Sequence, residues 1–87
     1  EAERYPLLGL AYNALSAGEG ATDAYNAANE VAVAAFMSGR IGFADIHRVV
    51  AACLEADFPS RLDDVDAVVA VDARARESAG KILKELR

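Results

Sequence analysis

The segment Asn26-Ala-Ala-Asn-Glu-Val-Ala-Val-Ala-Ala-Phe36 constrains the fold more than any other part of the chain. It is rich in alanine, the strongest helix former, and holds no glycine or proline. At about 100° per residue, Ala24, Ala28, Val31, Ala32 and Ala35 fall on one apolar stripe, while Asn26, Glu30, Val33 and Met37 line the opposite side. A helix solvated on its outer face has no need of Val33 and Met37 there. The pattern therefore predicts a second contact on that face, within a bundle or with another body of protein. The small side chains of the inner stripe favour close approach of neighbouring helices.

Three further helices follow from periodicity and punctuation. Pro6 suits a first helical position, and Leu7, Leu8, Ala11, Ala14 and Leu15 recur at helical steps until Gly18 and Gly20, which predicts a helix from Tyr5 to Ala17. The second runs from Thr22 to Ser38, with Thr22 or Asp23 as its cap and Gly39 as a left-handed stop. Ile46, Val49, Val50, Cys53 and Leu54 fit the amphipathic template without a miss, so a third helix is expected from Phe43 to Ala56, followed by a short loop at Phe58-Pro59. Asp45 in its first turn complements the helix dipole. Ser60 and Asp63 suggest a loose capping box before a long fourth helix, Leu62 to Leu86, whose tail is expected to overhang. Its seam reads Val65, Val68, Asp72, Ala75, Ala79, Ile82 and Leu86. Asp63, Asp64 and Asp66 stand at the start of that helix, and Arg74, Arg76, Lys81, Lys84 and Arg87 lie toward its end, as the macrodipole favours.

Short connections between consecutive helices predict an all-α, antiparallel four-helix bundle occupying residues 1–87 as one domain. The expected core comprises Leu8, Leu15, Val31, Phe36, Ile46, Val49, Val50, Cys53, Leu54, Val65, Val68 and Val69. A chain of 87 residues suits one small domain, and an apolar content of 54 % argues against disorder. The net charge of -5 repels phosphate backbones and anionic head groups, so neither nucleic acid nor a membrane is an expected partner. No apolar run approaches the roughly 20 residues that span a bilayer. The start, Glu1-Ala2-Glu3-Arg4, carries no signal-peptide pattern and no initiator methionine, which points to a piece excised from a longer protein. The lone Cys53 permits no internal disulfide, and a cytoplasmic setting is expected.

Chemistry is hard to find in the residues. His47 is the sole histidine and falls beside the apolar stripe of the third helix, and Cys53 occupies a core position of the same stripe. No nucleophile–base pair can be argued around them. Asp63, Asp64 and Asp66 read as first-turn acids rather than a cation site. Gly18-Glu19-Gly20 lacks the preceding strand, the glycine spacing and the lysine of a phosphate loop and reads as a helix stop and turn. No catalytic, cofactor-binding or metal residue is therefore assigned. Asp72 in an apolar seam requires a partner, and Arg76 one turn later is the candidate structural ion pair. Asn26, Asn29 and Glu30 admit two readings: bonds to backbone within the bundle, or a surface facing other parts of an enzyme. Asn26, Glu30, Val33 and Met37 form the candidate interdomain contact.

One resemblance gives these patterns a context. Tyr5-Pro6-Leu7, Leu10-Ala11-Tyr12, the Asn26 to Phe36 run, Gly39-Arg40-Ile41, Phe43-Ala44-Asp45-Ile46, Asp64-Val65 and Asp72-Ala-Arg-Ala-Arg76 together resemble the C-terminal helical domain of the deoxyxylulose-phosphate reductoisomerase family. The resemblance runs through nearly the whole chain. It implies a fragment of an NADPH-dependent enzyme, requiring Mg or Mn, that converts deoxyxylulose 5-phosphate to methylerythritol 4-phosphate in isoprenoid precursor synthesis. It also implies a full-length homodimer in which this domain supports the cleft without catalytic residues of its own. The alternatives are an autonomous helical protein-interaction module and, least supported, a fragment that is itself an enzyme.

Overall fold

A computed structural model describes residues 6–86, with side chains from Gly9 onward. The described residues form four helices and no strand: α1 (Pro6–Ala17), α2 (Glu19–Met37), α3 (Phe43–Cys53) and α4 (Val65–Glu85). The all-α class is as expected from periodicity. Tyr5, the side chain of Leu8 and Arg87 lie outside the described residues.

Gly18 alone separates α1 from α2, and residues 38–42 turn α2 into α3, so each pair folds back on itself. The second turn is a Schellman motif: Gly39 at φ 82 donates its N–H to the Phe36 carbonyl, and Arg40 donates to Ala35. At the start of α3, the Gly42 N–H donates to Asp45 Oδ2 at 3.0 Å, which places the acid at an unsatisfied helix start. The central pair is α2 with α3. α1 and α4 flank it on opposite sides and do not touch among the described residues.

α2 and α4 pack against each other most extensively, and each carries a buried row with residues spaced four apart. The rows are Gly20, Ala24, Ala28 and Ala32 on α2, and Val71, Ala75, Ala79 and Leu83 on α4. Matching four-residue ridges interdigitate, and alanine lets the two backbones approach closely. α3 supplies bulk, since Val49, Val50 and Cys53 are the largest fully buried side chains. The Cys53 thiol also donates to the Ala75 carbonyl at 3.3 Å, tying the end of α3 to the middle of α4. Val31, Phe36 and Leu54 pack against this core partly buried.

The fourth helix departs from expectation. Its buried row runs through Val71 and Leu83 rather than through Val68, Asp72 and Leu86, so only Ala75 and Ala79 of the expected seam are buried and Ile82 is partly so. Val65, Val68 and Val69 are 76 %, 40 % and 59 % exposed, and the overhang therefore lies at the start of α4, not at its tail. Leu15 also leaves the core, at 63 % exposure, because α1 turns Leu10 and Ala14 toward its neighbours instead.

The caps differ as well. α2 begins three residues before Thr22, whose hydroxyl instead donates back to the Gly18 and Ala14 carbonyls. The Ser60–Asp63 box does not form. Asp64 caps α4, accepting from the Ala67 N–H at 2.8 Å. α3 stops at Cys53, and residues 54–64 make a longer connection than its sequence suggests.

Candidate functional site

The connection after α3 is long because its middle serves as the cap of another helix. Gly18 adopts φ 121, and the first amides of α2 then point at the loop: Glu19 N–H donates to the Ser60 carbonyl at 3.0 Å and Gly20 N–H to the Pro59 carbonyl at 2.9 Å. Glu19 Oε1 accepts from the Leu62 N–H in return at 2.6 Å. A Cβ added at Gly18 would lie 2.6 Å from the Ser60 carbonyl oxygen, and one at Gly20 would overlap the Pro59 carbonyl oxygen. From α4, Arg74 lies over the Phe58 ring, with Cζ 4.5 Å from its centroid, and donates to the Asp57 carbonyl at 2.8 Å. The Gly18-Glu19-Gly20 turn is thus a seat for backbone. The helix start that would attract a phosphate is already filled by carbonyls.

On the outer side of α2, Asn26, Glu30, Val33 and Met37 all reach solvent, Met37 with 77 % of its surface. Neither Asn26 nor Asn29 makes a side-chain hydrogen bond to another described residue. Glu30 does: its Oε1 accepts from Arg76 Nη2 at 2.7 Å. The same guanidinium donates from Nε to Asp72 Oδ2 at 2.8 Å. The expected Asp72–Arg76 pair is therefore present, but it is not within an apolar seam. Both side chains are about 40 % exposed, because the buried row passes through Val71 and turns Asp72 outward by one helical step. Hydrogen bonds to Asp72 and then to Glu30 hold the Arg76 guanidinium charged well above the ordinary arginine range. The Glu30 link across helices escaped sequence reading, since 46 residues separate the partners and no local spacing marks them.

The remaining candidates are inert. His47 is half-buried beside the apolar row of α3. Burial pushes the Cys53 thiol pKa up, with weaker opposing effects from Ser78 and Arg74, so the thiol stays in its unreactive form. Asp63 pairs loosely with Arg61 at 3.8 Å, and Asp64 is used as a cap. Among the described residues no group of three or more His, Cys, Asp or Glu is placed to hold a metal ion. The described residues thus offer neither a divalent cation nor a dinucleotide a fitting site: acids are dispersed, the start of α2 behind Gly18 is occupied by the 59–60 backbone, and the start of α3 behind Gly42 is met by the Asp45 carboxylate. No described helix is long and apolar enough to cross a membrane.

Comparison with known proteins bears out the family resemblance. A protein-family model described as the DXP reductoisomerase C-terminal domain matches residues 1–78. The 1-deoxy-D-xylulose 5-phosphate reductoisomerase of Tolumonas auensis is 49 % identical over 84 residues, 97 % of this chain and 21 % of that protein. The Cupriavidus metallidurans enzyme of the same name is 52 % identical over 77 residues, covering 88 % of this chain and 20 % of the relative. The Haemophilus influenzae one is 46 % identical over 82 residues, covering 94 % and 21 %. The chain spans about one fifth of the length of these relatives. It belongs to the family of DXP reductoisomerase C-terminal domains.

Proposed function

We propose that this domain is the non-catalytic brace of a full-length reductoisomerase, which rearranges deoxyxylulose 5-phosphate and reduces the product to methylerythritol 4-phosphate with NADPH. The observation that carries this reading is identity of 46–52 % to enzymes of that name across nearly the whole chain, in a fold whose described residues bring no metal-holding group of His, Cys, Asp or Glu together. Cofactor chemistry, and the Mg or Mn ion, belong on this reading to the preceding parts of the parent. The resemblance also carries a homodimeric parent and a cytoplasmic location. The domain's partners are the other domains of the same polypeptide, and Asn26, Glu30, Val33 and Met37 on α2 form the face they cover.

Two comparisons test this. The full-length parent should oxidise NADPH when supplied with deoxyxylulose phosphate, whereas the isolated domain should neither do so nor bind NADPH in calorimetric titration. Micromolar binding to the domain alone would refute the assignment. Second, Val33→Asp with Met37→Asp should leave the isolated domain nearly as stable as before, because both side chains are already exposed, yet lower the stability or activity of the parent. Unfolding of the isolated domain by this pair would place both residues in its core.

A further inference from the structure

The exposed face of α2 does not end at α2. Glu30 meets Arg76, and Ser38 at the C-terminal cap of α2 walls the same shallow groove as Leu83 of α4, while the loop just before α4 caps the start of α2. The two helices therefore run side by side in the same direction. On α4, Val65, Val69, Asp72 and Arg76 follow spacings of four, three and four, which puts them within about 60° of one another on one stripe. That stripe lies beside the buried row and ends at Arg76, where it joins the α2 stripe through the Glu30 bond.

The composition of this surface is ordered. Carboxylates, a guanidinium and Asn26 occupy its middle, Val65 and Val69 one end, and Val33 and Met37 the other. Valine is a poorer helix former than alanine or leucine, so Val65, Val68 and Val69 in the overhanging turns gain nothing from local preference and little from burial within this domain. Each carboxylate spends one oxygen on Arg76, and the hydrogen bonds among described residues leave Glu30 Oε2 and Asp72 Oδ1 to accept from elsewhere. The surface thus suits a partner that presents apolar side chains flanking hydrogen-bond donors.

We propose that the α4 stripe and the α2 stripe form one composite docking surface for the preceding part of the parent polypeptide, with the Glu30–Arg76–Asp72 cluster at its centre. This rests on the brace reading above. The occupant follows from length: about four fifths of each relative lies outside the matched segment, and the family model places this segment at the C-terminal end.

The test uses the full-length parent, with single cysteines placed at Val65, Val69 and Met37 and, as controls on or just after α3, at Arg48 and Glu55, both exposed. Thiol labelling should be at least tenfold slower at Val65, Val69 and Met37 than at Arg48 and Glu55, in a background lacking other reactive thiols. Equal rates at all positions would overturn the proposal. Protection at Met37 without protection at Val65 and Val69 would also overturn it, leaving an α2-only contact. Protection that vanishes on dilution as the protein dissociates would assign the face to a second copy instead. NADPH oxidation by the same parent protein reports the activity reading separately, since a protected surface in a protein without that activity would sink the enzyme assignment alone.

Discussion

The two parts of α4 share a helix but meet fates opposite to their apolar content, which is higher in the first turns than in the rest. From Val71 to Leu83 the helix buries a row every four residues where it packs on α2 and α3. From Val65 to Ala70 no side chain is fully buried, although three of the six are valine. The difference lies in the neighbour. Phe58, Pro59 and Ser60 occupy the ground against the first turn of α2, so the early turns of α4 have no surface of this domain to cover them. Periodicity states what a helix is able to bury; the length and shape of its partner decide what it does bury.

The largest expected contrast falls across that divide. Leu83→Ala should cost about 2–5 kcal/mol in urea denaturation of the domain, as buried leucine truncations do. Val69→Ala should stay within about 0.5 kcal/mol of the parent sequence. Similar losses at both positions would erase the distinction between the halves.

Glycines sharpen it next. Gly20→Ala should destabilise by about 1–3 kcal/mol, because the added carbon meets backbone at Pro59 that has little room to yield. A methyl group at Gly80, in the packed half of α4, would meet nothing within 4 Å, and Gly80→Ala should stabilise by about 0.4–1 kcal/mol through the unfolded chain. Thermal melts of the two variants should therefore move in opposite directions.

A smaller effect depends on pH. Burial raises the Cys53 pKa above its unfolded value, so the stabilisation this neutral thiol contributes is complete below about pH 8.5 and is lost as pH rises toward the folded value. Stability measured at pH 8 and pH 10 should fall more for the native sequence than for Cys53→Ala, and parallel losses would mean the thiol is not effectively buried. Smallest of all is the half-exposed cluster beside the divide. Arg76→Ala should destabilise the domain less than Leu83→Ala, and the loss should shrink as salt rises, as solvent-screened pairs do. A loss indifferent to salt would indicate that packing of the arginine stem, rather than its charge, holds α2 to α4.

Much of this architecture can be read directly from the residues. The alanines of the inner α2 stripe are buried and Val31 partly so, as periodicity requires, α3 places Ile46, Val49, Val50 and Cys53 in the core, and Gly39 makes the left-handed stop. Local rules suffice there because a four-residue repeat, or a glycine at positive φ, carries its consequence within a few residues. The same rules mark the outer face of α2 as unusual: Val33 and Met37 stand opposite its buried stripe, and both are exposed.

Sequence alone thus determined helix number, the family motifs and the unusual outer face of α2. Tertiary structure decided the phase of α4, the exposure of its valines, the Glu30–Arg76 link and the seating of Pro59 and Ser60 on α2. Each of these depends on groups far apart in the chain. The phase of a helix with apolar residues on several faces is set by whichever face finds a close partner, and here Ala75 and Ala79 lie fully buried in a helix packed on both α2 and α3. The expected seam placed Asp72 where Val71 belongs because a three-four spacing and a four-four spacing share Ala75 and Ala79 and diverge only beyond them.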